Sequence, residues 1–415
     1  MRNTAKRLRN QRFQGGRGGL RGAGAARGAA VAFATLACTV TGVTAASATE
    51  PGSAPGSAPG SAPAPSACGT PAVRLLDRLP STGPATDTVT GIGAGSLTVG
   101  STGNVPVYWT GTTVHRVPLP AGYTTGKVAA VNKLGLMAGT VSGPSGSRAF
   151  RYTAGATTSQ LLDSGTYAAG VNDNGRITGG NTTTGKAYVW AGTHVERTLA
   201  VPAGRSRPTV AGIAKDGTVV GSVQAADADG NSGEVAAVWA AVASGATTTV
   251  TAHDLLPVVI NNDTDTFATA VDEHGRIVGN LDYFHQDLGI GVYWDRPYTA
   301  DYTQIGSLAG HEDKGLLSAT SPTTGLIAGT AQFPEGIPPI TPVDQPEIWT
   351  PGGPFRALPS LAADAPAGAE SAGDNGSVGG WAYDADPYDG DGVRQPVVWT
   401  CAVQQAFVPP QRSAS

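Results

Sequence analysis

Charged residues are scarce in this chain. Asp, Glu, Lys and Arg together make up 14% of its 415 residues, and Phe, Trp and Tyr make up 6%. The apolar share is still 40%, which is too high for a disordered chain of low hydrophobicity. No apolar run approaches the ~18 residues of a membrane-spanning helix, so no span is expected. Three cysteines are too few to build a disulfide-dense miniature fold. The His-Glu-x-x-His zinc signature and the Gly-x-Ser-x-Gly nucleophile elbow are both missing, which removes two motif-bearing hydrolase classes. Basic residues are also missing where a nucleic-acid surface would need them. The formal net charge is −4, but residues 1–48 hold eight Lys/Arg and no acid. The remainder holds 19 basic against 31 acidic residues, or −12. No nucleic-acid partner is expected.

Gly (59 residues) and Pro (30 residues) are abundant instead, and they are unevenly spread. Residues 1–27 are Gly-rich and basic, 29–37 are apolar, and Ala46-Ser47-Ala48 has the small-x-small form of a cleavage site. This order predicts a secretory signal peptide over 1–48 and an extracellular protein. The alternative is a lipid anchor at Cys38, although Thr35 stands where such sites usually carry an aliphatic residue. Adjacent arginines are absent, so the twin-arginine route is not favoured. Residues 49–67 repeat Pro-Gly-Ser-Ala and have nothing to bury, so they read as a spacer.

The body of the chain repeats itself. The clearest copy starts at Tyr167, reads Ala-Ala-Gly-Val-Asn-Asp-Asn-Gly-Arg-Ile-Thr-Gly-Gly to Gly180, and continues to Ala187-Tyr188-Val189-Trp190. Further copies start near Val128, Val210, Ala268, Leu317 and Ala369, and a weaker first copy near Val89 has its turn shifted by one residue. Each copy ends on a marker aromatic: Trp109, Tyr152, Trp190, Trp239, Trp294, Trp349 and Trp399, 38 to 55 residues apart. Each reads as four short strands. A small apolar strand meets an Asn-x-x-Gly turn, where Gly or Asn takes φ > 0. A second strand, a variable loop, the aromatic strand and a tight turn to a fourth strand follow. Four strands per 40–50 residues is the period of a propeller blade. The expected fold is therefore all-β, a seven-bladed β-propeller over 68–402, with six blades if the first copy fails. The marker tryptophans are expected to pack between blades.

The order x-Val-Asn-x-x-Gly-x-Ile-x-Gly…Ala-x-x-Trp resembles the HAF-type extracellular repeat family. The resemblance covers about 89–399. The His-Ala-Phe triplet itself is not kept, and Arg148-Ala149-Phe150 is its nearest form. It implies a β-propeller outside the cytoplasm and implies no defined catalysis.

The last copy lacks its fourth strand. After Trp399-Thr400 the chain gives Cys401 and an unpatterned segment, 403–415, read as a disordered tail. A fourth strand without a blade lies at the other end, in residues 70–79. The last blade is therefore expected to take its fourth strand from 70–79. Cys401 stands where Gly111, Gly192 and Pro351 stand in other turns, and Cys68 opens the closing strand. A Cys68–Cys401 disulfide is expected to clamp the junction, a class of bond worth about 2–4 kcal/mol.

Binding residues are sought on the loops between strands two and three, which are long and unlike one another in blades four to seven. Asp282, Tyr283, His285 and Asp287 form one candidate group, and Trp381, Tyr383 and Tyr388 another, in which aromatic rings stack on sugars while acids accept hydroxyl hydrogen bonds. His285, flanked by Asp282 and Asp287, is the one of six histidines singled out. Asp227, Asp229 and Asn231 alternate as a calcium loop begins, but Gly233 is one place late and no Glu stands at position 12. Asp384, Asp386, Asp389 and Asp391 offer further oxygens. Calcium is the one cofactor considered. No catalytic residue is assigned, because loop carboxylates have no fixed spacing for glycoside hydrolysis. The expected function is non-catalytic binding, by a monomer, of a cell-wall or environmental glycan or a surface protein. The alternatives are a glycan-active hydrolase or lyase, and a structural scaffold.

Overall fold

The computed structural model describes residues 70–80, 86–244, 247–258, 260, 263–283, 288–309, 314–332, 344–363, 365–387 and 392–409. Residues 1–48 with Cys38, and residues 49–69 with Cys68, lie outside them. The unit 66–415 is a seven-bladed β-propeller of seven four-stranded antiparallel sheets. Blade three has the expected layout: Tyr167–Val171, Arg176–Asn181, Lys186–Ala191 and His194–Thr198. The first copy forms a full blade, Thr88–Ile92, Leu97–Thr102, Val105–Thr110 and Thr113–Arg116, so the count is seven. Its turn places the left-handed residue at Gly95, one position earlier than Gly135 in blade two. First strands of neighbouring blades touch around the whole ring, which makes them the innermost layer.

Each first strand is bulged at one equivalent place, for example between Val89 and Gly91, Ala168 and Gly170, or Ala369 and Ser371. The bulge drives a strand-one carbonyl toward the motif glycine of strand two. A Cβ on Gly100, Gly139, Gly179, Gly221, Gly279, Gly329 or Gly380 would lie 1.9 to 2.5 Å from that oxygen. Only glycine fits, and this is the physical content of the x-Ile-x-Gly repeat.

Two devices join the blades. The indole N–H groups of Trp109, Trp190, Trp239, Trp294 and Trp399 donate to carbonyls at the end of the preceding blade's fourth strand, at 2.5 to 2.8 Å. The acceptors are Asp77, Asp163, Ala200, Leu256 and Pro359. Turn asparagines do the same on the other side: Asn132 Nδ2 donates to Asn172 O and Asn172 Nδ2 to Ala214 O, both at 2.9 Å. Buried apolar cores fill the seams; one joins Leu326, Ala328 and Ile348 of blade six to Val378, Val397 and Trp399 of blade seven.

The ring closes as expected. Ala72–Leu75 pairs with the third strand of blade seven, Arg394–Thr400, in register Ala72↔Thr400 to Leu75↔Val397. The expected strand over 70–79 narrows to these residues, extended by the bond from Leu76 N to Pro396 O. Arg78 then pairs with the buried Asp87 at the start of blade one. Cys401 has φ 54°, matching the left-handed Gly111 and Gly192 of the equivalent turns.

The tail departs from expectation. Residues Ala402–Gln405 form a short helix, and Phe407 exchanges backbone bonds with Ala357 on the outer strand of blade six. The segment covers an otherwise open sheet edge, which is reason enough for it to order. Only 410–415 lie outside the described residues.

Candidate functional site

Turns between strands one and two lie on one face of the ring and loops between strands two and three on the other. The turn face is closed at its centre by charge. Lys133 Nζ, from the blade-two turn, lies 3.0 Å from Asp374, 3.3 Å from Asp173 and 3.7 Å from Glu273. These acids come from blades seven, three and five. Burial works to lower the Lys133 pKa, but the hydrogen bonds and charges of Asp374 and Asp173 outweigh it, and the pKa is raised. The backbone adds to the latch. Lys133 N donates to Asp173 Oδ1, Thr323 N to Asp374 Oδ1, and Glu273 N to Pro322 O.

The loop face carries the candidate residues. Asp282 and Tyr283 end the second strand of blade five, Ile277–Tyr283, directly opposite Asp265 and Thr264. Asp265 Oδ1 accepts the backbone N–H of Glu234 at 2.7 Å, and Ser222 Oγ donates to Glu234 at 2.9 Å. Asp265 thus ties the first strand of blade five to the third strand of blade four, with Asp282 its cross-strand neighbour. His285 and Asp287 lie outside the described residues.

Trp381 is only 9% exposed. The Arg394 guanidinium covers its ring at 4.2 Å, and Tyr383 meets it edge-on at 5.8 Å between centroids. Gly368 is pressed so closely that a Cβ there would be 2.8 Å from the indole. A ring covered in this way is a packing element, and Tyr383, half-buried at its edge, is the aromatic still available. Arg394 in turn pairs with Glu370 at 3.4 Å, and Thr88 donates to Glu370 at 3.0 Å. Arg394 and Glu370 carry this corner, and the sequence reading did not single them out. Tyr388, Asp389 and Asp391 lie outside the described residues.

The calcium candidates are committed to their own loops. Asp227 accepts the N–H groups of Asp229 and Asn231 and the Asn231 amide, at 2.8 to 2.9 Å. The Asn231 amide bond leads the causes that lower its pKa. Asp229 is exposed. Asp384 accepts Val393 N at 2.8 Å and the Gln395 amide at 2.7 Å, and Asp386 is half-buried. Among the described residues no three His, Cys, Asp or Glu side chains converge on a metal position.

One acid is buried completely. Glu347, on the third strand of blade six, is 0% exposed. Its Oε2 accepts Ser307 Oγ at 2.7 Å and Leu308 N at 3.0 Å, while Oε1 has no hydrogen bond. Desolvation pushes its pKa up to about 8, against the opposing pull of the Ser307 and Leu308 bonds. Its position was legible: it stands two residues before the marker Trp349, where other blades carry Val107, Phe150, Tyr188, Ala237, Val292 and Val397. Two hollows, one beside Arg74, Gly111 and Thr400 and one beside Ile348, Arg356 and Val403, are about 100 and 140 Å³, each too small for a buried organic ligand.

Protein-family models and curated proteins give no match to the chain. Among solved structures it is similar to the β-propeller domain of the Trilobed protease from Pyrococcus furiosus, described as having an open velcro topology. The TM-score is 0.50 at 11% identity, covering 76% of this chain and 95% of that one. The WD40 domain of SCAP from fission yeast is also similar, with a TM-score of 0.33 at 11% identity over 74% of this chain and 82% of that one. At 11% identity the likeness to the Trilobed protease domain supports the β-propeller architecture alone, and here the pairing of Ala72–Leu75 with Arg394–Thr400 closes the ring.

Proposed function

We propose that this chain is a secreted, non-catalytic binding propeller of the HAF-type repeat kind, and that it recognises a glycan or a surface protein through its loop face. The observation that carries the reading is the asymmetry of the two faces. Lys133 and its three acids tie the turn face across four blades, whereas the loop face bears the irregular segments and the half-buried Tyr283, Tyr383 and Asp282. Variable loops on a rigid scaffold are where recognition resides. Tyr283 and Tyr383 supply the aromatic surface, with Asp282 as hydroxyl acceptor. The Cys68–Cys401 clamp belongs to the same proposal: Cys401 directly follows the strand that Ala72–Leu75 pairs with, and an oxidising extracellular setting permits the bond.

The test is co-sedimentation of the purified protein with cell-wall and plant polysaccharides. Selective, saturable retention that falls at least about tenfold in Tyr283→Ala or Tyr383→Ala, or about 1.4 kcal/mol, supports the reading. No retention on any polysaccharide removes the glycan ligand and leaves the protein partner. A hydrolase reading rests on the cross-strand pair Asp265–Asp282. Release of reducing ends, abolished in Asp282→Asn, would favour it over simple binding.

A further inference from the structure

Blade four differs from the other six. Its third strand, Ser232–Ser244, has 13 residues, and its outer strand, Thr247–Asp254, has eight. The outer strands of blades two, five and six have two residues each, and those of blades one and three have four and five. The blade-four ladder runs without a register shift from Ala237↔Asp254 to Ser244↔Thr247, whereas the equivalent ladder of blade three is broken between Val189 and Trp190. Five residue pairs lie beyond the marker Trp239. Blades one and three turn one pair beyond their own markers, at Thr110↔Thr113 and Ala191↔His194, so at a rise of about 3.3 Å per residue the blade-four hairpin projects about 13 Å past that level.

The outer edge of this strand is a row of backbone donors and acceptors that no other strand pairs with among the described residues. Natural edges are usually short, charged, bulged or covered. Among the described residues this one has none of those protections. Thr247-Thr248-Thr249-Val250-Thr251-Ala252 contains no Lys, Asp, Glu, Arg or Pro. The first charge is Asp254, which Arg205 already neutralises through bonds of 2.7 and 2.9 Å. Blade six shows the contrast, because its outer strand is covered by Phe407.

We infer that the Thr247–Asp254 edge is a self-association surface, where two copies of this chain pair antiparallel to make one eight-stranded sheet from two blades. The occupant is a second copy because the strand is complementary to itself. Antiparallel pairing about Val250 sets Thr251 opposite Thr249, Ala252 opposite Thr248 and His253 opposite Thr247, with no like charges opposed. A two-fold axis generates this arrangement and closes it at two copies. Parallel pairing would stack Asp254 on Asp254. The projection of the hairpin lets two discs meet there without their rims colliding.

The test is mass by light scattering and sedimentation on the full secreted chain from 1 to about 100 µM at moderate salt, beside Thr249→Lys/Thr251→Lys. Lysines on an edge block strand addition, and Thr251 is exposed, so the double variant should keep its melting temperature. The expected result is a mass that doubles with concentration in the natural chain and stays single in the variant. Amide exchange across 247–254 should slow at least about tenfold on dimerisation. A single mass at every concentration overturns the inference. So does a dimer that survives both lysines with the 247–254 amides unprotected.

Discussion

Glu347 sets the pH response expected at the level of a single residue. Its carboxyl is neutral in the folded protein up to a pKa of about 8, whereas in the unfolded chain it ionises near 4.5. Between those values the unfolded state holds fewer protons, so stability falls as pH rises. The contribution is complete below about pH 4.5 and is lost as pH passes through about 8. Glu347→Gln keeps an acceptor for Ser307 Oγ and Leu308 N without a titrating group. Melting curves from pH 5 to 8.5 should therefore show the variant gaining on the natural protein steadily as pH rises. Parallel curves across that range would show that Glu347 does not titrate there. The residue was visible in the sequence as one acid in a column of apolar counterparts. Its burial was not, because a Glu is charged and exposed unless packing dictates otherwise.

The four-stranded copy was legible because its glycines and aromatics recur in a fixed order. The strand-one bulge was not, because a bulge changes backbone register and leaves the side-chain pattern nearly intact. It explains afterwards why the motif glycine is required. The tryptophans are what couple one blade to the next. Trp190→Phe removes the 2.8 Å bond to Asp163 O and strands a carbonyl inside the seam. The expected loss is about 1–3 kcal/mol in urea unfolding, and no change would mean the indole N–H contributes nothing to the seam. Trp381 shows where sequence reading stops. A tryptophan beside acids is the same string whether it faces a sugar or lies beneath Arg394, and only the register Tyr383↔Arg394 across the sheet distinguishes the two. The tail was misread for a related reason, since its pairing depends on Ala357, far away in the chain.

For the whole molecule, the question is what fastens the ring at its centre. Lys133→Met leaves Asp173, Glu273 and Asp374 facing one another without their cation. The Lys133 side chain is 43% exposed, so solvent screens the cluster and the loss at pH 7 should be no more than ~1 kcal/mol. It should shrink in 1 M salt. A loss independent of salt would point to packing by the lysine stem instead. The overall architecture was readable from the missing strand at one end and the surplus strand at the other. The latch was not, because it joins turns from four blades.

Closure by the first strand also orders events in time. Ala72–Leu75 is among the earliest parts of the propeller to leave a ribosome, and its partners, 397–400, are nearly the last. Six sheets can form one after another while that strand waits, but the arc has two open rims until the final blade is complete. A chain halted before Val397 has nothing for its first strand to hold. The fold therefore checks its own progress: a finished ring certifies that synthesis has passed the third strand of blade seven.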